Sequence, residues 1–188
     1  MKNLVIYSAL LLAAFFSACR AKPKETEKEV EFYPIGSFIK GEVLKLDTIP
    51  LAVLKKTTIN GKTDSAYISK EEFKEAANIF LQPDITDPRL KKLYTESVFM
   101  DATLNMITLT YSPGENEAEV RKLDILLDPE SNRLQRIYME KLKKSGDSTI
   151  NHKMMWNAGH SFQVITLTHV GNQPEIVKKE KWVWDDRE

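Results

Sequence analysis

Cysteine is almost absent from this chain: Cys19 is the only one in 188 residues. A single thiol excludes an intramolecular disulfide, a C-x-x-C redox pair and a zinc site built from several cysteines. Any folded domain must therefore rest on its hydrophobic core. Net charge is absent too, with 27 basic and 27 acidic residues. That balance leaves no electrostatic footprint for nucleic acid and no strong field to steer a highly charged substrate. Seven glycines are scattered along the chain without forming a Gly-rich phosphate loop. No G-x-S-x-G elbow occurs, so the serine-hydrolase constellation has no scaffold. The apolar run from Leu4 to Phe16 falls short of the roughly 20 residues that a transmembrane helix needs.

Histidine is scarce, with only His152, His160 and His169, and none sits in an H-x3-H or HExxH pattern. His152 shares strand parity with Ile150, Met154 and Trp156 and reads as a half-buried packing residue. His160 follows Gly159 in a turn. Gly159-His160-Ser161 sets a serine beside a histidine, but strand neighbours point to opposite faces. Asp185-Asp186 reads as a solvated pair. No catalytic, cofactor-binding or metal-ligating set emerges. The expectation is a protein without a cofactor that is not an enzyme.

What is present begins at the N-terminus. Met1-Lys2-Asn3 supplies a basic start, Leu4 to Phe16 is apolar, and Ser17-Ala18 are small. This is the secretory-signal pattern. Phe16-Ser17-Ala18-Cys19 resembles the lipobox of bacterial lipoprotein signal peptides, in which an aliphatic residue and two small residues precede the cysteine. Phe16 departs from the aliphatic position. The resemblance implies a lipidation site at Cys19, with a diacylglyceryl group on its sulfur, cleavage before it and acylation of the new amino terminus. Two or three acyl chains hold a protein stably at a bilayer, whereas one does so only marginally. Arg20 stands where bacterial inner-membrane lipoproteins often carry Asp. The resemblance therefore implies a lipid-anchored protein of the bacterial cell envelope, at the outer membrane, facing the periplasm or the outside.

Residues 1–18 form the signal peptide in this reading. Residues 19–31 form the lipidated cysteine and a charged tether, RAKPKETEKEVE after Cys19, with too few apolar side chains to offset the entropy of ordering. Residues 32–188 form a single domain. Ile35, Phe38, Ile39, Val43 and Leu46 approximate one helical face after Pro34. Leu51 to Ile59 and Thr63 to Ile68 read as strands around Asn60-Gly61, a strong hairpin signal. Ser69 and Glu72 form a capping box, and Phe73, Ala76, Ala77, Phe80 and Leu81 make the apolar stripe of a helix that Pro83 stops.

From Tyr94 onward, period-two alternation predicts strands near 94–100, 103–112, 119–128, 133–143, 148–157, 161–170 and 176–184. Trp182 and Trp184 share parity on the last strand and are expected to pack an open end of the sheet. Lys178, Lys179, Lys181 and the terminal aspartates around them suggest a protected edge. The predicted fold class is α+β: one or two helices on a curved antiparallel β-meander of about seven to nine strands.

The expected function is non-catalytic binding or assembly by a membrane-anchored envelope lipoprotein. Its partners are the membrane, through the lipid, and an envelope protein or an apolar ligand, but not nucleic acid. Met100, Met106, Met139, Met154 and Met155 accompany Trp156, Trp182 and Trp184. Methionine adapts to varied apolar ligands, so a carrier of lipid or another apolar ligand in a helix-on-sheet cavity is the alternative. A hydrolase or metal enzyme is the third reading, and it requires two histidines to converge with a carboxylate. A meander carrying a helix is loosely similar to lipoprotein-carrier and lipoprotein-receptor half-barrels, to small assembly-factor lipoproteins and to peptide-binding inhibitor domains. No motif specific to those families is present, so no binding residue carries over from them.

Overall fold

The computed structural model describes residues 31–114, 118–171 and 173–185, within the compact unit Glu31–Glu188. The signal peptide, Cys19 and the tether up to Val30 lie outside the described residues. Helix α1 spans Ile35–Thr48, and its buried Ile35, Ile39, Val43 and Leu46 recur every three or four residues on one face. Strands β1 (Val53–Ile59) and β2 (Lys62–Ile68) form a hairpin. Its turn residues Asn60 and Gly61 have φ of 48° and 82°, the left-handed pair that a tight two-residue hairpin requires. Helix α2 (Lys70–Ala77) opens with the expected capping box and continues as a 3-10 turn, Asn78–Phe80. The Glu72 amide donates to Ser69 Oγ at 3.1 Å, and the Ser69 amide donates to Glu72 Oε2 at 2.9 Å. A one-turn helix α3 (Pro88–Lys91), capped by Asp87, was not expected, because four residues are too few to show a period.

Strands β3 (Tyr94–Asp101), β4 (Met106–Pro113), β5 (Val120–Leu127), β6 (Leu134–Ser145), β7 (Ser148–Asn157), β8 (Ser161–Val170) and β9 (Ile176–Val183) follow. Among the described residues they build one nine-stranded antiparallel sheet, ordered β2-β1-β9-β8-β7-β6-β5-β4-β3. The sheet is open, and the fold is α+β with helices packed on a meander. The last strand departs from expectation. β9 is not an edge, because the β1–β2 hairpin pairs with its far side. That pairing joins residues more than a hundred positions apart, which no local pattern reveals. The edges are β2 and β3.

One face of the sheet carries the helices. Its core contains Tyr111, Leu123, Ile137, Met139, Met154, Trp156 and Phe162, all fully buried. An aromatic cluster fills its centre. Trp156 and Phe162 stack at 5.0 Å, Phe162 and Trp182 stack at 4.4 Å, and Phe80 meets Trp156 edge-on at 5.3 Å. Phe73 of α2 meets Trp184 edge-on at 5.1 Å. Trp182 and Trp184 thus belong to the central core and not to an open end. At the N-terminal side, Phe32 packs on Tyr111 at 4.7 Å, and the Tyr33 amide donates to the Tyr111 hydroxyl. Among the described residues, no helix is long and apolar enough to cross a membrane.

Candidate functional site

The strand register lays side chains in rows across the face opposite the helices. One row runs Phe99, Thr108, Leu126, Arg136, Asn157, Ser161 and Val183, from edge strand β3 to β9. The alternation that buries Ile125, Ile137, Trp156 and Phe162 on the helix face places this row on the other one. A cleft of about 670 Å³ lies over it, bounded at one end by Leu104 and Met106 and at the other by His160, Lys181 and Asp185. Its volume falls within the range of roughly 300–1,000 Å³ common for small-molecule sites.

Arg136 is held in this cleft by its neighbours. Its Nε donates to Asn157 Oδ1 at 2.8 Å, and Asn157 Nδ2 donates to the hydroxyl of Ser161 at 3.2 Å. Ser161 is itself buried. The chain of contacts uses three adjacent strands, so the exposed Arg136 side chain is oriented by a hydrogen bond from the sheet and not by a loop. Among the described residues neither Arg136 nor Lys181 makes an ion pair.

A second cleft, of about 550 Å³, lies between α2 and strands β7–β9. Its cations are already matched: Glu180 bridges Lys55 at 3.0 Å and Lys178 at 2.9 Å. Burial alone would raise the Glu180 pKa, but hydrogen bonds from Lys178 and Lys55 hold it below the ordinary carboxylate value. The open-face cleft therefore keeps positive charge for a ligand, while the cleft beside α2 has neutralised its own.

Two buried charges tie the helices to the sheet, and sequence reading marked neither. Lys141 donates to the carbonyls of Ile79 and Gln82 beyond α2. Burial pushes its ammonium down to about 8. Glu42 of α1 accepts the Gly159 amide at 2.6 Å and Lys45 Nζ at 2.9 Å. It clasps the β7–β8 turn that carries His160 at the rim of the open-face cleft. Substituting Glu42→Ala should orphan the Gly159 amide and destabilise the fold by about 1–3 kcal/mol. Urea titration checks the loss, and faster hydrogen exchange at Gly159 checks its location.

The histidines do not converge. His152 is half-buried on the helix face, with Nδ1 at 3.1 Å from Thr166 Oγ1. Burial, with Lys141 adding to it, lowers its pKa. His160 lies in the β7–β8 turn at the cleft rim, and His169 is exposed opposite Thr149, toward the far end of β8. Among the described residues no group of three or more His, Cys, Asp or Glu could hold a metal ion. Met139 and Met154 fill the core, while Met106 lines the open-face cleft and Met100 is exposed on β3. Asp185 sits at the cleft wall, and Asp186 lies outside the described residues. Arg136 and Asn157 went unmarked because each looks like an ordinary wet-face residue of an amphipathic strand. Only the β6–β7 register makes them partners. No family model matches this chain, and neither does any curated protein or solved structure with which it was compared.

Proposed function

We propose that this protein is an envelope lipoprotein. In this reading acyl chains on Cys19 hold it at a bilayer, and the unit Glu31–Glu188 serves as a non-catalytic binding module. The open-face cleft is its binding site. The observation that carries the binding half is Arg136, oriented by Asn157, which Ser161 holds in turn, and without an acidic partner among the described residues. A guanidinium that pairs with no carboxylate of its own domain can meet the two oxygens of a ligand's anionic group. Anchoring rests on Phe16-Ser17-Ala18-Cys19 and on the charged residues that separate Cys19 from the first described residue. Arg20 supports placement at the outer membrane. By extension limits alone, the stretch from Cys19 to Glu31 lets the domain stand at most about 40 Å from its anchor.

Cys19→Ser tests the anchoring. Wild type should fractionate with membranes and take up a fatty-acid label. The variant should lose the label and move to the soluble fraction, since no acyl chain remains to hold it. Equal membrane retention and equal labelling would overturn the reading.

A further inference from the structure

The row that holds Arg136 runs through Leu126 and Thr108 to the edge of the sheet. Leu126 is its partner on β5, and two strands further on lies Phe99, 65% exposed on edge strand β3. Leu104, 70% exposed at the β3–β4 turn, and Met106 flank the same row. Edge strands of soluble domains are commonly blunted by Lys, Pro or a bulge. β3 reads Tyr94-Thr95-Glu96-Ser97-Val98-Phe99-Met100-Asp101, with neither Lys nor Pro, and its pairing with β4 is unbroken. The opposite edge, β2, carries Lys62 and Asp64 and one large exposed apolar residue, Tyr67. Of the two edges, β3 therefore exposes more apolar surface than β2.

Resting on the reading of the open-face cleft as the binding site, we infer that its ligand is a single-chain anionic amphiphile. The anionic head meets Arg136, with Lys181 and His160 on the adjoining wall. The alkyl chain lies over Leu126 and leaves the cleft past Met106, Leu104 and Phe99. Strands are spaced by about 4.8 Å, so Arg136 and Phe99 are roughly 14 Å apart along the row, a distance that a medium-length acyl chain spans. A carboxylate and a phosphate ester offer Arg136 the same paired acceptor oxygens, so a free fatty acid and a lyso-phospholipid both supply such a head.

The test is calorimetric titration of the chain 31–188, which holds a complete core of its own, with decanoate, decyl phosphate and neutral decanol. Saturable binding at one site is expected for decanoate, decyl phosphate or both. A preference for decanoate identifies a fatty-acid source, and a preference for decyl phosphate identifies a phospholipid one. Arg136→Gln, which keeps a group able to meet Asn157, should weaken binding about tenfold or more. Phe99→Ser and Leu104→Ser, both at exposed positions, should flatten the gain of about two- to fourfold expected for each methylene added to the probe. Absence of saturable binding to both anions would overturn the inference, as would affinity indifferent to Arg136→Gln or equal affinity for decanol. None of these results would touch the Cys19 anchoring, which the fractionation experiment decides separately.

Discussion

Trp156→Ala should cost the domain about 3–5 kcal/mol, the largest loss of any single substitution considered for this chain. Trp156 is fully buried on β7, the middle strand of nine. Its ring stacks on Phe162, meets Phe80 edge-on and lies 5.4 Å from Trp184 and 6.3 Å from Phe73. It therefore joins β8, the chain end, α2 and the 3-10 turn in one cluster. Each well-placed aromatic pair adds roughly 0.5–1.5 kcal/mol beyond its buried area, and truncation to alanine leaves a cavity that the surrounding rings cannot close. For a domain of this size the expected fall in Tm is roughly 10–15 °C. Trp156→Phe should retain more than half of the stability lost in the alanine variant. Tyr67→Ala, at an exposed position on β2, should be nearly neutral. Urea unfolding followed by far-UV circular dichroism measures all three. A loss below about 1 kcal/mol for Trp156→Ala would show that the aromatic cluster does not hold the sheet to its helices. The next residue, Asn157, orients Arg136, so loosening this strand should also disorder the open-face cleft.

Lys141 should make the protein more stable as pH rises from 8 to 9.5. The side chain is 2% exposed, and burial lowers its pKa from 10.5 to about 8. Below pH 8 the lysine is protonated in both the folded and the unfolded chain, and pH has no effect through it. Between about 8 and 10.5 the unfolded chain holds the extra proton, so raising the pH favours the folded state. The gain by pH 9.5 is about 2 kcal/mol. The deprotonated amine still donates to the carbonyls of Ile79 and Gln82, so the tether is kept. Tyr33, Tyr94, Tyr111 and Tyr138 all have pKa values raised above 10, chiefly by burial. Their effect has the opposite sign and begins higher, where the unfolded chain ionises first. His152, pushed downward, titrates below this window.

Lys141→Met preserves the aliphatic stem but orphans two carbonyls, and it removes the cost of a buried ammonium. Near pH 7 these effects oppose each other, with a net loss of about 1–3 kcal/mol. The deficit should widen by a further 2 kcal/mol or so by pH 9.5. Denaturation midpoints measured at half-unit pH steps check the slope. Parallel curves for wild type and variant would show that Lys141 is not the group responsible.

Local rules that act within a few residues were legible from the chain. The Ser69/Glu72 box, the Asn60-Gly61 turn and the alternation along β5 and β7 each depend on neighbours in sequence. The strands of that hairpin, β5 and β7 appear within a residue or two of expectation, whereas the helix expected to run to Pro83 is α-helical only to Ala77 and then a 3-10 turn to Phe80. His152 was read as a half-buried packing residue on the parity of Ile150, Met154 and Trp156, and that reading holds. Position within the sheet was not legible. The lysines of β9 resemble an edge because exposed alternate positions look alike at an edge and on the open face of an inner strand. Nothing local marks Lys141 as buried, for the same reason.

By itself, then, the amino-acid sequence determined the α+β class, the helices α1 and α2, the strands and the turns between them, because backbone geometry, capping and side-chain alternation are short-range effects. Tertiary structure alone decided that β9 lies inside the sheet and that the tryptophans meet at its centre. It also decided that Lys141 is buried and that Arg136, Asn157 and Ser161 form one constellation. Each of these depends on which strands hydrogen-bond side by side, and that choice is made by the packing of the whole core.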